Sequence, residues 1–391
     1  MKYAFALSKE NLSIAKEEVL ALLDTEKFHL IKNILIIEIQ KQNNKSMGIL
    51  SKRLAYTNSI YSLLFESNYN DLIKDMENFD WNSIYKDNFC IRINVLSPII
   101  EIPLKNNNIT NKKLINQYST KNKANYKNKT IINKNKEITK KIIITNEIKK
   151  FYSEKNLAGY IWRAVKKPKV NLGNPKTHIE IFFAKDKVYC CLLLGKLKHS
   201  FEERKSHLRP RPSPISLHPK LARAMANLTG AEEDEVILDP FCGSGGILIE
   251  AGLMEMKTIG YDINKKMIWK SMVNLKHYKI KNYKLGIKDF FKINKKYKYI
   301  ISDLPYGLNT NIMKNIRVTK HNKKQLKKYL EEFYFKVVKK LDRILIKRAV
   351  IIFPSYINYK RIIKSSKLKL KNEFESYVHS NLTRKIVVLE R

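Results

Sequence analysis

The sequence is poor in the residues that build disulfide frameworks and zinc sites. The 391-residue chain has four cysteines, and none of them forms a C-x-x-C pair: Cys90, Cys190, Cys191 and Cys242. Its eight histidines are scattered without the spacing of metal ligands. A small disulfide-stapled domain and a zinc-finger protein are therefore excluded, and we expect no metal ion.

Long apolar runs are also absent. No run approaches the ~20 residues that cross a bilayer, and the N-terminus lacks the long apolar core of a secretion signal. The sequence thus predicts a soluble, cytoplasmic protein without a membrane partner.

Acidic residues are scarce relative to basic ones. The chain has 36 Asp and Glu against 76 Lys and Arg, a formal net charge of +40. A surplus of this size favours a polyanionic partner such as nucleic acid. A general bias towards Lys, Asn and Ile would produce the same surplus, so charge alone does not identify the partner.

One stretch, Val236–Glu250, has the pattern of a buried strand, a glycine turn and the start of a helix. Gly243, Gly245 and Gly246 allow positive φ and close approach of a ligand to the backbone. A dinucleotide-binding turn would place a third glycine, or an alanine, five residues after the first. That position is Leu248, so the turn predicts a nucleotide-like ligand of another kind.

Four acidic residues fall at predicted strand ends: Asp239, Asp262, Asp289 and Asp303. Asp262 stands where the acid of a second strand accepts hydrogen bonds from ribose hydroxyls. It could also cap the helix that begins near Asn264. Asp289 stands where the acid of a third strand would meet an adenine amino group, and it could equally be a turn residue.

These motifs resemble those of class I S-adenosylmethionine-dependent methyltransferases. Asp239-Pro-Phe-Cys-Gly-Ser-Gly245 resembles their motif I, and Asp303-Leu-Pro-Tyr306 resembles the (D/N)PP(Y/F) signature of enzymes that methylate an exocyclic amino nitrogen. Leu304 replaces the first proline of the signature. The resemblance implies S-adenosylmethionine as cofactor, with these binding or flanking residues: Asp239, Phe241, Gly243, Gly245, Asp262, Asp289 and His218.

The Asp-Leu-Pro-Tyr sequence suits chemistry on an amine whose lone pair is delocalised into a purine ring. The Asp303 carboxylate and the Leu304 carbonyl can each accept one amine hydrogen, which orients the nitrogen and stabilises positive charge as the methyl group transfers. Tyr306 can stack on the base, and Pro305 stiffens the turn. An ordinary strand-ending turn is the alternative, and the other acids at strand ends argue against it.

The first 80 residues predict a small α/β unit. Its expected elements are a strand at Tyr3–Leu7, a helix at Leu12–Leu23, a strand at Ile34–Ile39 and a helix at Leu50–Phe65. A further strand is expected at Phe89–Leu96. The stretch from Lys105 to Lys150 holds thirteen Lys, eleven Asn and two acids, and its isoleucine pairs indicate only residual structure. It could be an electrostatic arm or a neutral insertion.

A helix at Leu157–Val165 and a hairpin of His178–Phe183 with Lys187–Leu194 follow. With the intervening V-x-L-x-N-P turn, they resemble the end of a THUMP domain, an RNA-binding module of tRNA-modifying enzymes. A basic cluster beside Tyr160 and Trp162 could bind backbone phosphates or form a solvated helix face: Arg163, Lys166, Lys167 and Lys169.

The order of segments resembles the archaeal tRNA (guanine-10-N2)-methyltransferase family over nearly the whole chain. It comprises an N-terminal unit (1–80), a THUMP-like segment (81–197), a proline-rich linker (198–214) and a class I methyltransferase domain (215–391). The last domain begins with a helix near Ile215 and is expected to be a doubly wound, mostly parallel α/β sheet ending in a hairpin. The resemblance implies tRNA as substrate, methylated once or twice on guanine N2.

Two other functions fit parts of the sequence. A DNA adenine N6-methyltransferase would use the same D-x-P-Y chemistry, and only the THUMP-like segment argues against it. A non-catalytic RNA-binding protein would not need Asp303, Pro305 and Tyr306. We further expect residues 1–200 to supply most of the tRNA affinity and residues 205–391 alone to bind the cofactor.

Overall fold

The computed structural model describes residues 1–39, 47–97, 99–103, 131–132, 138–144, 152–214, 216–306, 323–380 and 382–391. Ile215, Gly307 and most of the Lys105–Lys150 stretch lie outside these residues. The chain divides into two compact units. The first comprises Met1–Phe5, His29–Lys41 and Ser59–Gly195, and the second comprises Ala6–Phe28, Gln42–Asn58 and Lys196–Arg391.

Strands and helices alternate along most of the chain. Up to residue 196 they are β1 (Lys2–Leu7), α1 (Leu12–Leu23), β2 (His29–Ile31), β3 (Ile34–Glu38), α2 (Met47–Arg53), β4 (Thr57–Ser67), α3 (Leu72–Asn78), β5 (Phe89–Val95), β6 (Ile99–Pro103), β7 (Ile131–Ile132), β8 (Ile138–Ile144), α4 (Glu154–Ala164), β9 (Thr177–Phe183) and β10 (Val188–Lys196). Beyond it they are α5 (Pro219–Leu228), β11 (Val236–Asp239), α6 (Gly246–Gly252), β12 (Lys257–Asp262), α7 (Lys265–His277), β13 (Tyr283–Ile287), β14 (Tyr297–Asp303), α8 (Lys323–Ile344), β15 (Leu345–Pro354), α9 (Tyr359–Lys364), β16 (Lys369–His379) and β17 (Leu382–Glu390).

The first unit is built on a seven-stranded sheet in the order β2-β3-β1-β4-β10-β9-β5. The hairpin expected from the sequence is confirmed, since β9 and β10 are antiparallel with Val188 opposite Phe183. β5 lies parallel to β9. A separate three-stranded sheet, β6-β8-β7, contains the isoleucine pairs of the Lys/Asn-rich stretch and confirms the structure that they indicated.

The helix expected at Leu50–Phe65 is wrong for most of its length. α2 ends at Arg53, and the chain continues as the long strand β4. β-branched and aromatic residues such as Ile60 and Tyr61 favour a strand. β4 also lies between β1 and β10, where pairing on both sides outweighs the helical spacing of its apolar residues.

The second unit contains the sheet β13-β12-β11-β14-β15-β17-β16. Its first five strands are parallel, and β17 lies antiparallel between β15 and β16. Helices α6, α7 and α8 connect successive parallel strands, as expected for a doubly wound sheet. Counted within the unit, the strand order is 3-2-1-4-5-7-6, so the winding reverses between β11 and β14. In such sheets a ligand binds at the carboxyl ends of the strands beside this reversal.

A buried polar network joins segments of the second unit that are distant in sequence. Glu18 of α1 accepts hydrogen bonds from the backbone N–H groups of Ala55 and Tyr56, each at 2.9 Å. Asn227 of α5 donates to Glu18 at 2.7 Å and accepts from Arg53 at 3.1 Å. Because buried polar groups are costly unless they are hydrogen-bonded, α1 and the end of α2 are structural parts of this unit.

The proline-rich segment predicted as a linker is attached to the same unit. Arg204 and Arg223 form ion pairs of 2.7 and 3.0 Å with the fully buried Glu250 of α6. The Arg211 N–H donates to Asn274 of α7 at 2.9 Å, and the Asn274 amide donates to the Arg211 carbonyl at 3.0 Å. The two compact units separate between Gly195 and Lys196, near the boundary expected at residue 197, and they do not separate at residue 80 or 214.

Candidate active site

The turn after β11 has the backbone shape that its glycines indicate. Gly243 and Gly245 adopt φ of 52° and 86°, in the region that side-chain-bearing residues avoid. A Cβ at Gly243 would have no neighbour within 4 Å, whereas one at Gly245 would lie 2.5 Å from Ser271 Oγ. Gly245 thus lets α7 approach the turn, and the open side of Gly243 leaves room for a ligand.

The position that differs from a dinucleotide-binding turn has a packing explanation. Leu248 of α6 is buried, and its side chain packs against Gly260 of β12. A Cβ on Gly260 would collide with Leu248 and would lie 2.8 Å from Leu285. The small residue that permits close helix-to-strand packing is therefore on the strand, where sequence reasoning did not look for it.

Asp262 ends β12 and faces the glycine turn. Its carboxylate accepts hydrogen bonds from the Gly243 N–H at 3.1 Å and the Asn264 N–H at 2.8 Å. The helix cap itself is Asn264, whose side chain accepts from the Lys266 N–H at 2.9 Å. Burial raises the pKa of Asp262, although both backbone donors act in the opposite direction. A partly buried carboxylate here is suited to accept ribose hydroxyls.

Asp239 ends β11 between the two other strand-ending acids. It is 1% exposed, and its Oδ1 accepts from Ser302 Oγ at 2.8 Å and from the Phe241 N–H at 3.1 Å. Burial raises its pKa to about 7, and the nearby Asp303 and Asp262 add to the rise. These two contacts tie Oδ1 of Asp239 to the turn after β11 and to β14.

Asp289 follows β13 by two residues and caps the short turn Phe290–Lys292. Its carboxylate accepts the Phe291 N–H at 2.9 Å. Of the two roles that the sequence left open for Asp289, this contact fits that of a turn residue. Beside it, Phe241 packs on Phe290 with ring centroids 5.1 Å apart. Phe241, half-buried and next to the glycine turn, is placed to line a cofactor pocket.

Asp303 ends β14 and is partly buried. Burial raises its pKa to about 6, and Arg384 and the Tyr306 hydroxyl oppose the rise. The Tyr306 hydroxyl donates to Asp303 Oδ1 and accepts from Arg384 Nε at 3.2 Å. Tyr306 thus links Arg384 to one of the two carboxylate oxygens of Asp303.

The turn that follows Asp303 is fixed from two neighbouring elements. Tyr334 of α8 donates to the Pro305 carbonyl at 2.8 Å, and Tyr356, beyond β15, donates to the Tyr306 carbonyl at 3.0 Å. Leu304 is 2% exposed and packs in the apolar core with Tyr334. The leucine in place of proline thus anchors the turn through its side chain, while tyrosine hydroxyls fix the backbone.

Neither His218 nor the basic cluster takes part in these hydrogen bonds. His218 is exposed and caps α5, where its Nδ1 accepts the Lys220 N–H at 3.3 Å, in keeping with a structural role. In the first unit, Arg163 stacks over the Tyr160 ring at 4.7 Å, and Lys169 lies 3.8 Å from Asp87. The basic cluster is exposed throughout: Arg163, Lys166, Lys167 and Lys169.

The residues at the β11 and β12 ends fit S-adenosylmethionine. The open face of Gly243 leaves backbone free to contact a ligand, and Asp262 presents a carboxylate beside it. Among the described residues, no group of three or more His, Cys, Asp or Glu is placed to hold a metal ion. In the same part of the chain, no helix is both long and apolar enough to cross a membrane.

Parallel strands wound 3-2-1-4-5, with a seventh strand inserted antiparallel before the sixth, are the architecture of class I methyltransferases. The winding reverses between β11 and β14, which end in Asp239 and Asp303. Together with these acids and the glycine turn, this architecture identifies the protein as an S-adenosylmethionine-dependent class I methyltransferase. The family model described as "RMKL-like, methyltransferase domain" matches residues 206–386. This match covers the glycine turn and the Asp-Leu-Pro-Tyr turn.

Curated relatives identify the family more closely. The chain is 36% identical to the probable tRNA (guanine(10)-N2)-dimethyltransferase of Methanothermococcus thermolithotrophicus over 44% of this chain and 98% of that protein. It is 26% identical to the enzyme of that name from Methanothermobacter thermautotrophicus over 100% of both chains. With the Pyrococcus abyssi enzyme it shares 33% over 57% of this chain and 64% of that one. The chain belongs to the tRNA (guanine(10)-N2)-dimethyltransferase family.

A second family model, described as "DNA methylase", matches residues 4–272. This match ends before Asp303 and so leaves out the Asp-Leu-Pro-Tyr turn. It therefore does not distinguish between a DNA base and an RNA base as the methyl acceptor.

Proposed function

We propose that the protein transfers methyl groups from S-adenosylmethionine to the exocyclic N2 of guanine 10 in tRNA, in the cytoplasm. The observation that carries the proposal is the position of Asp303. It ends the strand next to β11, on the same edge of the sheet as the glycine turn, with one carboxylate oxygen held by Tyr306. The names of the curated relatives support the choice of tRNA and of position 10.

The chemistry needs an oriented amine and a place for positive charge. S-adenosylmethionine supplies an electrophilic methyl group on a sulfonium. Asp303 and the Leu304 carbonyl accept the two N2 hydrogens and direct the lone pair at the methyl carbon. As the carbon–nitrogen bond forms, the carbon–sulfur bond breaks and its electron pair stays on sulfur. Asp303 stabilises the charge that grows on nitrogen and accepts the N2 proton before it passes to water.

The turn geometry bears on how many methyl groups are added. After one transfer, N2 keeps a single hydrogen, and either acceptor can hold it. The relatives are named dimethyltransferases, which supports two successive transfers. We propose that the monomethylated base is an intermediate that accumulates early and declines as the dimethylated base appears.

The first unit supplies candidate contacts to the tRNA backbone. The exposed cluster Arg163, Lys166, Lys167 and Lys169 lies at the end of α4 and beyond it, beside the exposed Trp162. Cations of this kind bind phosphates, and an exposed aromatic ring can stack on an unpaired base. We propose that this unit is the RNA-binding part of the protein and that its segment 81–197 is a THUMP-like domain.

Methyl transfer to unmodified tRNA transcript tests the proposal. The transcript would be incubated with S-adenosylmethionine labelled in the methyl group and then digested for nucleoside analysis. We expect labelled N2-methylguanosine and N2,N2-dimethylguanosine, and no label in a transcript whose guanine 10 is replaced by adenine. Label in N6-methyladenosine of duplex DNA would favour the DNA enzyme instead, and no label in any nucleic acid would favour the non-catalytic alternative.

A further inference from the structure

Arg384 lies at the catalytic edge of the sheet although it comes late in the chain. In β17 it pairs with Pro354 of β15, two residues beyond Ile352, which pairs with Asp303. Its side chain is therefore near the carboxyl ends of the parallel strands. No motif in the sequence marked it, because β17 was recognised only as part of a terminal hairpin.

The contacts of Arg384 lead to the amine-binding carboxylate. Arg384 Nε donates to the Tyr306 hydroxyl at 3.2 Å, and that hydroxyl donates to Asp303 Oδ1. The tyrosine can donate in only one direction, since it has one hydroxyl hydrogen. By donating to the hydroxyl oxygen, Arg384 leaves Asp303 as the acceptor of that hydrogen.

We infer that Arg384 is a positioning residue for methyl transfer, an inference that depends on the proposed function. The guanidinium holds the Tyr306 hydroxyl against one oxygen of Asp303, so that the other oxygen faces the substrate amine. It also favours the ionised form of Asp303, the form that accepts an amine hydrogen. Arg384 itself need not touch the substrate or the cofactor.

The charges around Asp303 determine how the effect of Arg384 on methyl transfer would depend on pH. Burial raises the pKa of Asp303 to about 6, and Arg384 and Tyr306 lower it. On the adjacent strand Asp239 has the same sign of charge, and burial raises its pKa to about 7. Among the described residues, the buried Tyr334 and the nearby Tyr356 are further titratable neighbours, and burial raises the pKa of both. Loss of Arg384 should therefore raise the pKa of Asp303 and leave less carboxylate in weakly acidic solution.

Single-turnover methylation of tRNA between pH 5.5 and 8.5 tests the inference. For the unmodified enzyme we expect the rate to rise with pH through a midpoint near 6, set by Asp303. In Arg384→Gln, the midpoint should move up by about one pH unit, because an adjacent opposite charge commonly shifts a pKa by 1–3 units. From this shift alone the rate should fall about fivefold at pH 6, because the ionised fraction of Asp303 drops from about a half to about a tenth, and it should change little at pH 8.5. In Arg384→Lys the positive charge remains, so the midpoint should return close to that of the unmodified enzyme. The maximal rate should recover less, because lysine lacks the guanidinium that contacts Tyr306.

The neighbouring Lys385 provides a matched control. It is on the same strand and pairs with Glu375. Lys385→Gln removes one positive charge from the next residue of the strand, whose side chain lies on the other face of the sheet, so it reproduces a general loss of positive charge without the contact to Tyr306. We expect its midpoint to stay near that of the unmodified enzyme.

Two results would overturn the role of Arg384. One is the same midpoint in Arg384→Gln and Lys385→Gln. The other is full additivity with Tyr306→Phe, since a residue that acts through Tyr306 should have a smaller effect once the hydroxyl is gone. Absence of methyl transfer by the unmodified enzyme would instead overturn the proposed function, and the inference with it.

Discussion

Three carboxylates end adjacent parallel strands, but their surroundings give them different tasks. Asp239 is buried and accepts two protein donors at Oδ1, Asp262 accepts backbone N–H groups of the glycine turn and of Asn264, and Asp303 accepts the Tyr306 hydroxyl at one oxygen. Burial raises the pKa of each of them. We propose that the same residue type serves here to shape a turn, to receive a cofactor and to hold an amine.

The raised pKa of Asp239 leads to a prediction about how the free energy of unfolding depends on pH. Its pKa of about 7 in the folded chain lies above the usual value, so its contribution to stability is present at low pH and is lost as pH rises through 7. Asp239→Asn keeps an oxygen for Ser302 and removes the titration. Between pH 5 and 8, we expect the native protein to lose about 1–3 kcal/mol of unfolding free energy relative to the variant.

Urea unfolding at the two pH values measures this difference. Asp289→Asn is a suitable control, because Asp289 is only partly buried. Equal pH dependence in native protein and Asp239→Asn would contradict the prediction.

Asp262→Ala should weaken cofactor binding and leave tRNA affinity nearly unchanged. The carboxylate is placed to accept ribose hydroxyls, and hydrogen bonds to a charged group contribute about 1.5–3 kcal/mol each. We therefore expect at least a tenfold higher Kd for S-adenosylmethionine by calorimetric titration. Because Asp262 also holds the Gly243 N–H, thermal unfolding without ligand should accompany the titration. Unchanged affinity would remove Asp262 from the cofactor site.

Residues in local motifs could be predicted, and residues brought in from a distance could not. Asp262 and Asp303 follow apolar runs and stand out in the sequence. Tyr334, Tyr356 and Arg384 act on the same turn from α8, the loop after β15 and β17. Their side chains converge only once the sheet order is fixed, and no spacing along the chain marks them.

At the scale of elements, the parallel strands and their helices followed from the sequence because each buried strand is a short apolar run. The long strand β4 did not, since its apolar residues also fit helical spacing. The local residue pattern leaves the conformation of this segment open, and pairing with β1 and β10 in the sheet makes it a strand. The segment before α5 likewise looked like a linker, because its contacts to α6 and α7 come from residues far along the chain.

The hydrogen bond between α8 and the turn after β14 leads to a prediction about the methylation rate. Tyr334→Phe keeps the ring but removes the hydroxyl that holds the Pro305 carbonyl. A neutral hydrogen bond is worth about 0.5–1.5 kcal/mol, so we expect the methylation rate to fall by roughly 2–13-fold with little change in S-adenosylmethionine affinity. Tyr329→Phe, on the same helix and partly exposed, is the control. Identical rates in the two variants would mean that the Tyr334 hydroxyl does not help to fix the turn.

At the scale of the whole molecule, the catalytic unit includes residues from both ends of the chain. Glu18, Arg53 and Arg204 precede the methyltransferase domain expected from the sequence, yet they hydrogen-bond within its unit. A cut at residue 205 would remove all three, so Asn227 would lose its bonds to Glu18 and Arg53, and Glu250 would lose Arg204 while keeping Arg223.

We therefore expect residues 205–391 not to fold stably, contrary to the expectation from sequence that they bind cofactor alone. Each unsatisfied buried group costs about 1–3 kcal/mol, against a total stability of roughly 5–15 kcal/mol. Circular dichroism during urea unfolding should lack a cooperative transition for this fragment and display one for the full chain. A cooperative transition with full affinity for S-adenosylmethionine would contradict this.

The most direct test of the proposed chemistry is single-turnover methylation of tRNA by Asp303 variants. Asp303→Ala removes the carboxylate that stabilises charge in the transition state, and loss of one such partner commonly costs about 10²–10³ in rate. Asp303→Asn should be milder, because its amide oxygen still accepts a hydrogen bond. Both variants should keep the native circular dichroism spectrum and bind tRNA and S-adenosylmethionine. Near-normal turnover in folded Asp303→Ala would mean that the Asp-Leu-Pro-Tyr segment is only a turn and that methyl transfer occurs elsewhere.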